Sequence, residues 1–419
     1  MRLSSFGEKF AAASGISSLM DDLGTALSEN PSLLFMGGGN PGRIEEGEAF
    51  FAERLTAVLS DPRRRHELLG VYQAPSGDRA LREELAAYLR SELGWPVTPA
   101  HIAVANGSQS AFFVLYNLFA GAMDSGPARR IHLPISPEYV GYADIGLGED
   151  FFSATRPRIV RHDAHRFRYH IDFSSLRVDD ETAALCISRP SNPTGNVIDD
   201  AELHELAALA DRSGVPLIVD GAYGQPFPNL IYTDASPYWD DNTILMLSLS
   251  KLGLPGARTG LVIAHPDIAA AFARANTVIS LASGTLGPQL LRGTLNNGSL
   301  QRLCCDHLRP HYLARRELAL AAIDRDRGDL PVHVHEADGA FFLWLWCEDL
   351  PIDSVTLYER LKSRGVIVLP GNDFFIGTGR EWAHRRECLR ISYAGDTTTI
   401  ERGIAIIMNE LNAVYTAHG

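Results

Sequence analysis

The chain has 419 residues, 45% hydrophobic and 21% charged, which is ample for a large core and suggests two or three domains. Its formal net charge of −13 argues against a nucleic-acid backbone as main partner, and its most apolar run, residues 340–346, is far too short to span a bilayer. The cysteines (Cys186, Cys304, Cys305, Cys347, Cys388) are odd in number and lack metal-ligand spacing, and the N-terminus has no apolar signal-peptide segment, so a reducing cytoplasm is expected.

From the N-terminus, the first ~45 residues are expected to pack with a C-terminal unit and not with the main sheet. Met36-Gly37-Gly38-Gly39-Asn40-Pro41 lacks the Lys-Ser/Thr of a phosphate loop, and its glycines suit a close backbone approach to a substrate. Six short apolar runs then read as buried strands: 101–105, 130–134, 183–188, 215–220, 243–247 and 260–264. Helical patterns such as 201–212 lie between several of them, which implies a mainly parallel sheet covered on both faces. In such sheets ligands bind beyond the carboxyl ends of the strands. From about residue 300 the pattern changes to a smaller α+β unit around 340–346, 366–369 and 388–392.

Candidate chemistry falls at those strand ends. Asn106-Gly107-Ser108-Gln109-Ser110 follows a strand and opens a helix at 111–120, where free N–H groups and the helix dipole suit a phosphate; a plain turn with Ser108 as N-cap is the alternative. Tyr139, in Pro137-Glu138-Tyr139, is placed to stack on an aromatic ring. In Arg189-Pro190-Ser191-Asn192-Pro193-Thr194-Gly195 two prolines fix a turn around Asn192, as an accurate hydrogen bond requires. Asp220 ends the run 215–220 and is costly there without a partner; Tyr223 follows it. Ser248-Leu249-Ser250-Lys251-Leu252-Gly253-Leu254-Pro255-Gly256-Ala257-Arg258 joins two hydroxyls, an arginine and a lysine. The hydroxyls and Arg258 suit a phosphate dianion, and Lys251 suits a Schiff base with an aldehyde. One small molecule needs both: pyridoxal 5′-phosphate (PLP). Asp220 would pair with its ring nitrogen, and Asn192 and Tyr223 with its phenolic oxygen. Arg390, on the strand-like run 388–393, offers a planar fork to a carboxylate. His333, His335 and His384 lack carboxylates at ligand spacing, so no metal is expected.

Together these motifs resemble the fold-type I PLP enzymes, specifically the class I and II aminotransferases, from Gly37 to about Arg402. Further strings that carry the likeness are Ser14-Gly15-Ile16, Ala111-Phe112-Phe113 and Pro137-Glu138-Tyr139-Val140-Gly141-Tyr142-Ala143-Asp144. The resemblance implies an α/β fold with a large PLP-binding domain (residues 48–298), built on a mainly parallel seven-stranded sheet, and a small domain from residues 1–47 and 299–419. It implies Lys251 as the Schiff-base lysine, with Asp220, Asn192, Tyr223 and Tyr139 around the ring. Ser108, Gln109, Ser248, Ser250 and Arg258 would hold the phosphate, with Tyr72 reaching the partner subunit's phosphate in a homodimer with shared sites. Gly39 and Arg390 would meet the substrate carboxylate. The activity implied is amino transfer between a small apolar amino acid, of valine or alanine type, and a 2-oxo acid such as pyruvate, in ping-pong steps through pyridoxamine phosphate. Because one scaffold hosts several reactions, elimination or replacement on an amino acid stands as the alternative. A PLP-sensing regulator would carry a DNA-binding domain ahead of this fold, and the fold here starts within the first ~40 residues.

Overall fold

The structure, a computed structural model, describes residues 2–12, 24–25 and 32–418; the string Ser14-Gly15-Ile16 lies outside them. Its main sheet has seven strands. In spatial order they are Ile102–Ala105, Gly260–Ile263, Thr243–Ser248, Leu217–Asp220, Thr182–Ser188, Arg130–Leu133 and Phe152–Ala154. Only Gly260–Ile263 runs antiparallel to its neighbours; the other pairings are parallel. The six expected strands are all present to within two residues at each end. The seventh, Phe152–Ala154, has only three residues and no continuous apolar run to announce it.

The continuous apolar runs reflect burial on both faces. Ile102, Val104, Leu185, Ile187, Leu217, Val219, Leu245 and Leu247 point into one core. Their alternates Ala103, Ala105, Ala184, Cys186, Ile218, Ile244 and Met246 point into a second, packed under Phe112, Leu115, Tyr116 and Phe272 of the covering helices. Period-two alternation between two dry faces makes the interiors of these strands apolar throughout.

A second sheet has six strands. Its order is Leu369–Pro370, Cys388–Ser392, Phe342–Cys347, Val332–His335, Arg166–His170 and Arg158–Arg161. Two segments pair or pack away from the stretches that adjoin them in sequence. The hairpin 158–170 comes from the middle of the chain, yet Arg166–His170 pairs in parallel with Val332–His335. At the N-terminus, Leu34–Phe35 pairs with Val366–Ile367, but the helix Ser5–Ala11 leans the other way. Phe10 sits 5.9 Å edge-on from Phe113, and Lys9 donates to the Gly148 carbonyl. Among the described residues no helix is long and apolar enough to cross a membrane.

Candidate active site

The parallel strands end side by side, and their last residues form the floor of the site. Register pairs Ser188 with Asp220 and Asp220 with Met246, which sets the Asp220 carboxylate on that row of strand ends. The strand Thr243–Ser248 leads straight into the 3₁₀ turn Ser250–Leu252 that carries Lys251. The Ser250 N–H donates to Ser248 Oγ at 3.2 Å, which pins the start of this turn.

Lys251 Nζ donates to the Gly39 carbonyl at 2.6 Å. Two rings flank the amine, Tyr223 with its centroid 5.2 Å away and Phe341 at 5.6 Å. Burial, with help from Arg390 and Arg258, pushes the amine down to about 8; Asp220 opposes them. A lysine held there is a competent nucleophile near neutral pH. Lys9, Lys251 and Lys362 are the only lysines of the chain, so its reactivity can be read without interference. In the cofactor-free protein, an amine-directed acylating reagent mapped by mass spectrometry should modify Lys251 with a pH midpoint near 8. The free amine is the minority form below that pH and the majority form above it. A midpoint above 10 would mean the burial does not tune it.

Asp220 is 8% exposed and takes two hydrogen bonds, from the Tyr142 hydroxyl to Oδ2 at 2.6 Å and from the Ala222 N–H to Oδ1 at 2.9 Å. Burial pushes its carboxyl up; Tyr142, Ala222 and Lys251 pull the other way. Arg390, on the strand Cys388–Ser392, donates through Nη1 to Asn192 Oδ1 and through Nη2 to the Gly37 carbonyl, both at 2.6 Å. Its guanidinium lies 4.2 Å from the Phe342 ring centroid, and burial brings it down to about 10. Asn192 is thus oriented by Arg390, with its amide nitrogen left free to donate.

The Asn106–Ser110 stretch departs from the capping alternative. The helix runs Ser108–Phe119 with Gly107 at the N-cap, at a φ of 93° that favours glycine. A Cβ at Gly107 would run into the Arg258 guanidinium, and one on Gly260 would lie 2.9 Å from the Gly107 carbonyl carbon. Glycine at both positions therefore lets Arg258 and the helix N-terminus close on one spot, an anion cradle. Gln109 donates to the Gly141 carbonyl at 2.7 Å and so fixes the loop bearing Tyr139. Charges on Asp220, Arg390 and Arg258 all act on the Tyr139 hydroxyl, which places that ring among them.

Sequence reasoning missed Tyr142 as the partner of Asp220, and Phe341 and Phe342 as walls of the site. Tyr72, which the sequence resemblance assigned to the partner subunit's phosphate, is 81% exposed in the single chain. His335 and His384 are core histidines, both pushed down to about 3 by burial, with Tyr169 bonded to each.

The residues present fit PLP. The Tyr223 hydroxyl is buried beside Lys251 with no hydrogen-bond partner. A carboxylate, an aldehyde-competent amine and an anion cradle surround one space, and a cleft of about 510 Å³ opens beside Lys251 past Asn40, Gly42, Ile44 and Tyr312.

Comparison with known proteins agrees. The model of the family "Aminotransferase class I and II" matches residues 52–407. A valine–pyruvate aminotransferase of Escherichia coli K12 is 44% identical over 415 residues, 99% of each chain. The solved valine–pyruvate aminotransferase of Salmonella typhimurium LT2 superposes with a TM-score of 0.88 at 41% identity, covering 97% of this chain and 100% of that one. A solved chain from Psychrobacter arcticum 273-4 gives 0.96 at 39% identity over 99% of each. The chain belongs to the class I and II aminotransferases, a PLP-dependent family.

Proposed function

We propose that this protein moves an amino group between valine or alanine and a 2-oxo acid such as pyruvate, in ping-pong fashion with PLP. The observation that carries the reading is Lys251: a buried amine lowered to about 8, facing the Gly39 carbonyl between two aromatic rings. The full-length identity to a valine–pyruvate aminotransferase supports the choice of substrates. So does the cleft, whose lining includes Ile44, Phe51, Leu252, Leu254 and Leu308, which suits an apolar side chain.

When bound, PLP supplies an electron sink for the charge left on the substrate Cα. The chain's own residues do the rest. Ser108, Gln109, Ser248, Ser250 and Arg258 would hold the phosphate at the helix N-terminus. Tyr139 would pack against the ring. Asp220 would pair with the ring nitrogen, and Asn192 and Tyr223 would donate to the phenolic oxygen. Lys251 would anchor the cofactor, and its Nζ is the base placed to take the proton from the substrate Cα. Arg390 and Gly39 receive the substrate carboxylate, with Arg390 already aimed by Asn192 and Gly37.

Arg390→Ala should lower kcat/KM for amino acids by about 10–100-fold, the worth of a charge-assisted bond to a carboxylate. Amines lacking a carboxylate should lose far less, and an equal loss for both classes would remove Arg390 from that role. The substrate assignment is tested by the 2-oxo acid formed with each of L-valine, L-alanine and L-aspartate as donor. Turnover with aspartate above that with valine and alanine would overturn it.

The working unit is a homodimer with shared sites, in the cytoplasm. Leu69, Val71, Tyr72, Val278, Ile279 and Leu281 are exposed in the single chain, with Val278 at 88%. The two segments are tied together by a bond from Thr285 Oγ1 to the Leu68 carbonyl at 2.7 Å, so they form one apolar surface suited to a second copy. Tyr72 would reach the partner's phosphate from there. Mixing Tyr72→Ala and Lys251→Ala chains should then restore about one quarter of wild-type activity, since about half of random dimers are hybrids with one intact site. Activity equal to the sum of the parents would contradict the shared site. The cysteines are free thiols, as a reducing compartment allows.

A further inference from the structure

Behind Asp220 a file of buried polar groups leads away from the ring pocket. Tyr142 donates to Asp220 Oδ2 at 2.6 Å, and its hydroxyl lies 3.4 Å from Ser188 Oγ. Ser188 Oγ lies 2.5 Å from Glu138 Oε2, and the Ser188 N–H donates to Oε1 at 2.8 Å. The Tyr139 N–H reaches Oε2 at 3.3 Å. Glu138 and Tyr142 are fully buried, and Ser188 nearly so. The spacing is set by the fold: Ser188 and Asp220 are register partners on adjacent strands, and the 3₁₀ turn Val140–Tyr142 brings the tyrosine over both.

A carboxyl so deeply buried needs either a cation or its own proton. Among the described residues no lysine, arginine or histidine bonds to Glu138; its bonded partners are Ser188 and Tyr139. The other titratable groups that face it are Asp220, Tyr142, Tyr116 and Cys186, none of them cationic. Burial, with Asp220 adding to it, pushes the Glu138 carboxyl up to about 8.

The location of that proton sets the direction of the hydroxyls. With it on Oε2, Glu138 donates to Ser188, Ser188 to Tyr142, and Tyr142 to Asp220, so each hydroxyl points toward the Asp220 carboxylate and strengthens the next bond. With Glu138 ionised, Ser188 turns to Glu138, the 3.4 Å link carries no proton, and two like charges share one dry pocket.

We propose that protonated Glu138 is a positioning residue which, through Ser188 and Tyr142, holds Asp220 ionised and turned toward the cofactor's ring nitrogen. This rests on the assignment of Asp220 to that nitrogen.

The test is the rate at which the full-length holoenzyme loses PLP on dilution, followed by its visible absorbance. Tyr142→Phe and Ser188→Ala should each speed the loss about fivefold, and the double variant should be no faster than Tyr142→Phe alone, since both cut one chain. Multiplying effects, or no effect of Ser188→Ala, overturn the relay. Should Ser188→Ala fail to fold, Ser188→Cys, close to serine in volume and a weaker donor, takes its place in the cycle. Glu138→Gln keeps a donor toward Ser188 and should stay within about twofold of wild type. A change of fivefold or more overturns the protonated state, because glutamine would then have removed a charge. Asp220→Asn is the control: if it retains PLP as wild type does, the ring-nitrogen assignment itself fails. If it loses PLP faster while the cycle multiplies, only the relay fails.

Discussion

Lys251→Ala is expected to lower turnover by about four orders of magnitude or more while leaving measurable PLP binding. The side chain has two jobs that no neighbour can take over. In the proposed role it would anchor the cofactor covalently and move the Cα proton, a general-base role worth up to about 10⁴ by itself. Tyr223 is the titratable side chain whose ring lies 5.2 Å from Nζ, but burial pushes its phenol well above the usual range, so it is no substitute base at neutral pH. PLP should persist in the variant because the residues proposed to hold its phosphate, Ser108, Gln109, Ser248 and Arg258, do not include Lys251. The check is steady-state kcat alongside a PLP titration; unchanged kcat would remove the central residue of the account.

Asp220→Ala should have the second-largest effect, lowering kcat by about 10²–10³-fold, the size expected when one fixed group facing developing charge is removed. It should also weaken PLP binding. Alanine leaves the Tyr142 hydroxyl and the Ala222 N–H without their acceptor, at a cost of about 1–3 kcal/mol for each that stays dry. Asp220→Asn separates charge from shape, because asparagine keeps an oxygen for the Ala222 N–H, turns an N–H toward the Tyr142 hydroxyl, and loses the negative charge. Kinetics for Asp220→Asn as poor as for Asp220→Ala identify the charge as the active element. Wild-type kinetics for either variant would rule out the ring-nitrogen role.

Most of the main sheet was legible because each strand is buried on two faces. That makes a run such as Leu217-Ile218-Val219 apolar throughout and easy to see. The hairpin 158–170 was not, and the reason is the converse. In Arg166–His170 only Phe167 and Tyr169 face inward, while Arg166, Arg168 and His170 stay partly exposed, so charge masks a strand that belongs to the second sheet. The N-terminal helix Ser5–Ala11 buries none of its residues, which left its contact with Phe113 without a sequence signal.

The site divides in the same way. Lys251, Asp220 and Asn192 follow apolar strands directly, so position along the chain foretold position at the row of strand ends. Tyr139 was visible as a lone aromatic in a loop, but its neighbours Glu138 and Tyr142 were not. A 3₁₀ turn decides which of them faces inward, and no periodicity survives in so short an element. A loop glutamate is ordinarily exposed, so Glu138 gave no hint of its burial. Phe341 and Phe342 read as strand core and turned out to wall the site because Phe342 begins the strand that lies beside Arg390.

Amino transfer from a small apolar donor can be read directly in the absorbance spectrum of the purified holoenzyme on adding L-valine or L-alanine alone. The expected result is stoichiometric loss of the visible cofactor band, release of one equivalent of the matching 2-oxo acid, and recovery of the band when pyruvate is added. A visible band that persists, or release of a product that has lost its side-chain substituent while the cofactor returns unchanged, would contradict transfer and favour elimination or replacement on the same scaffold.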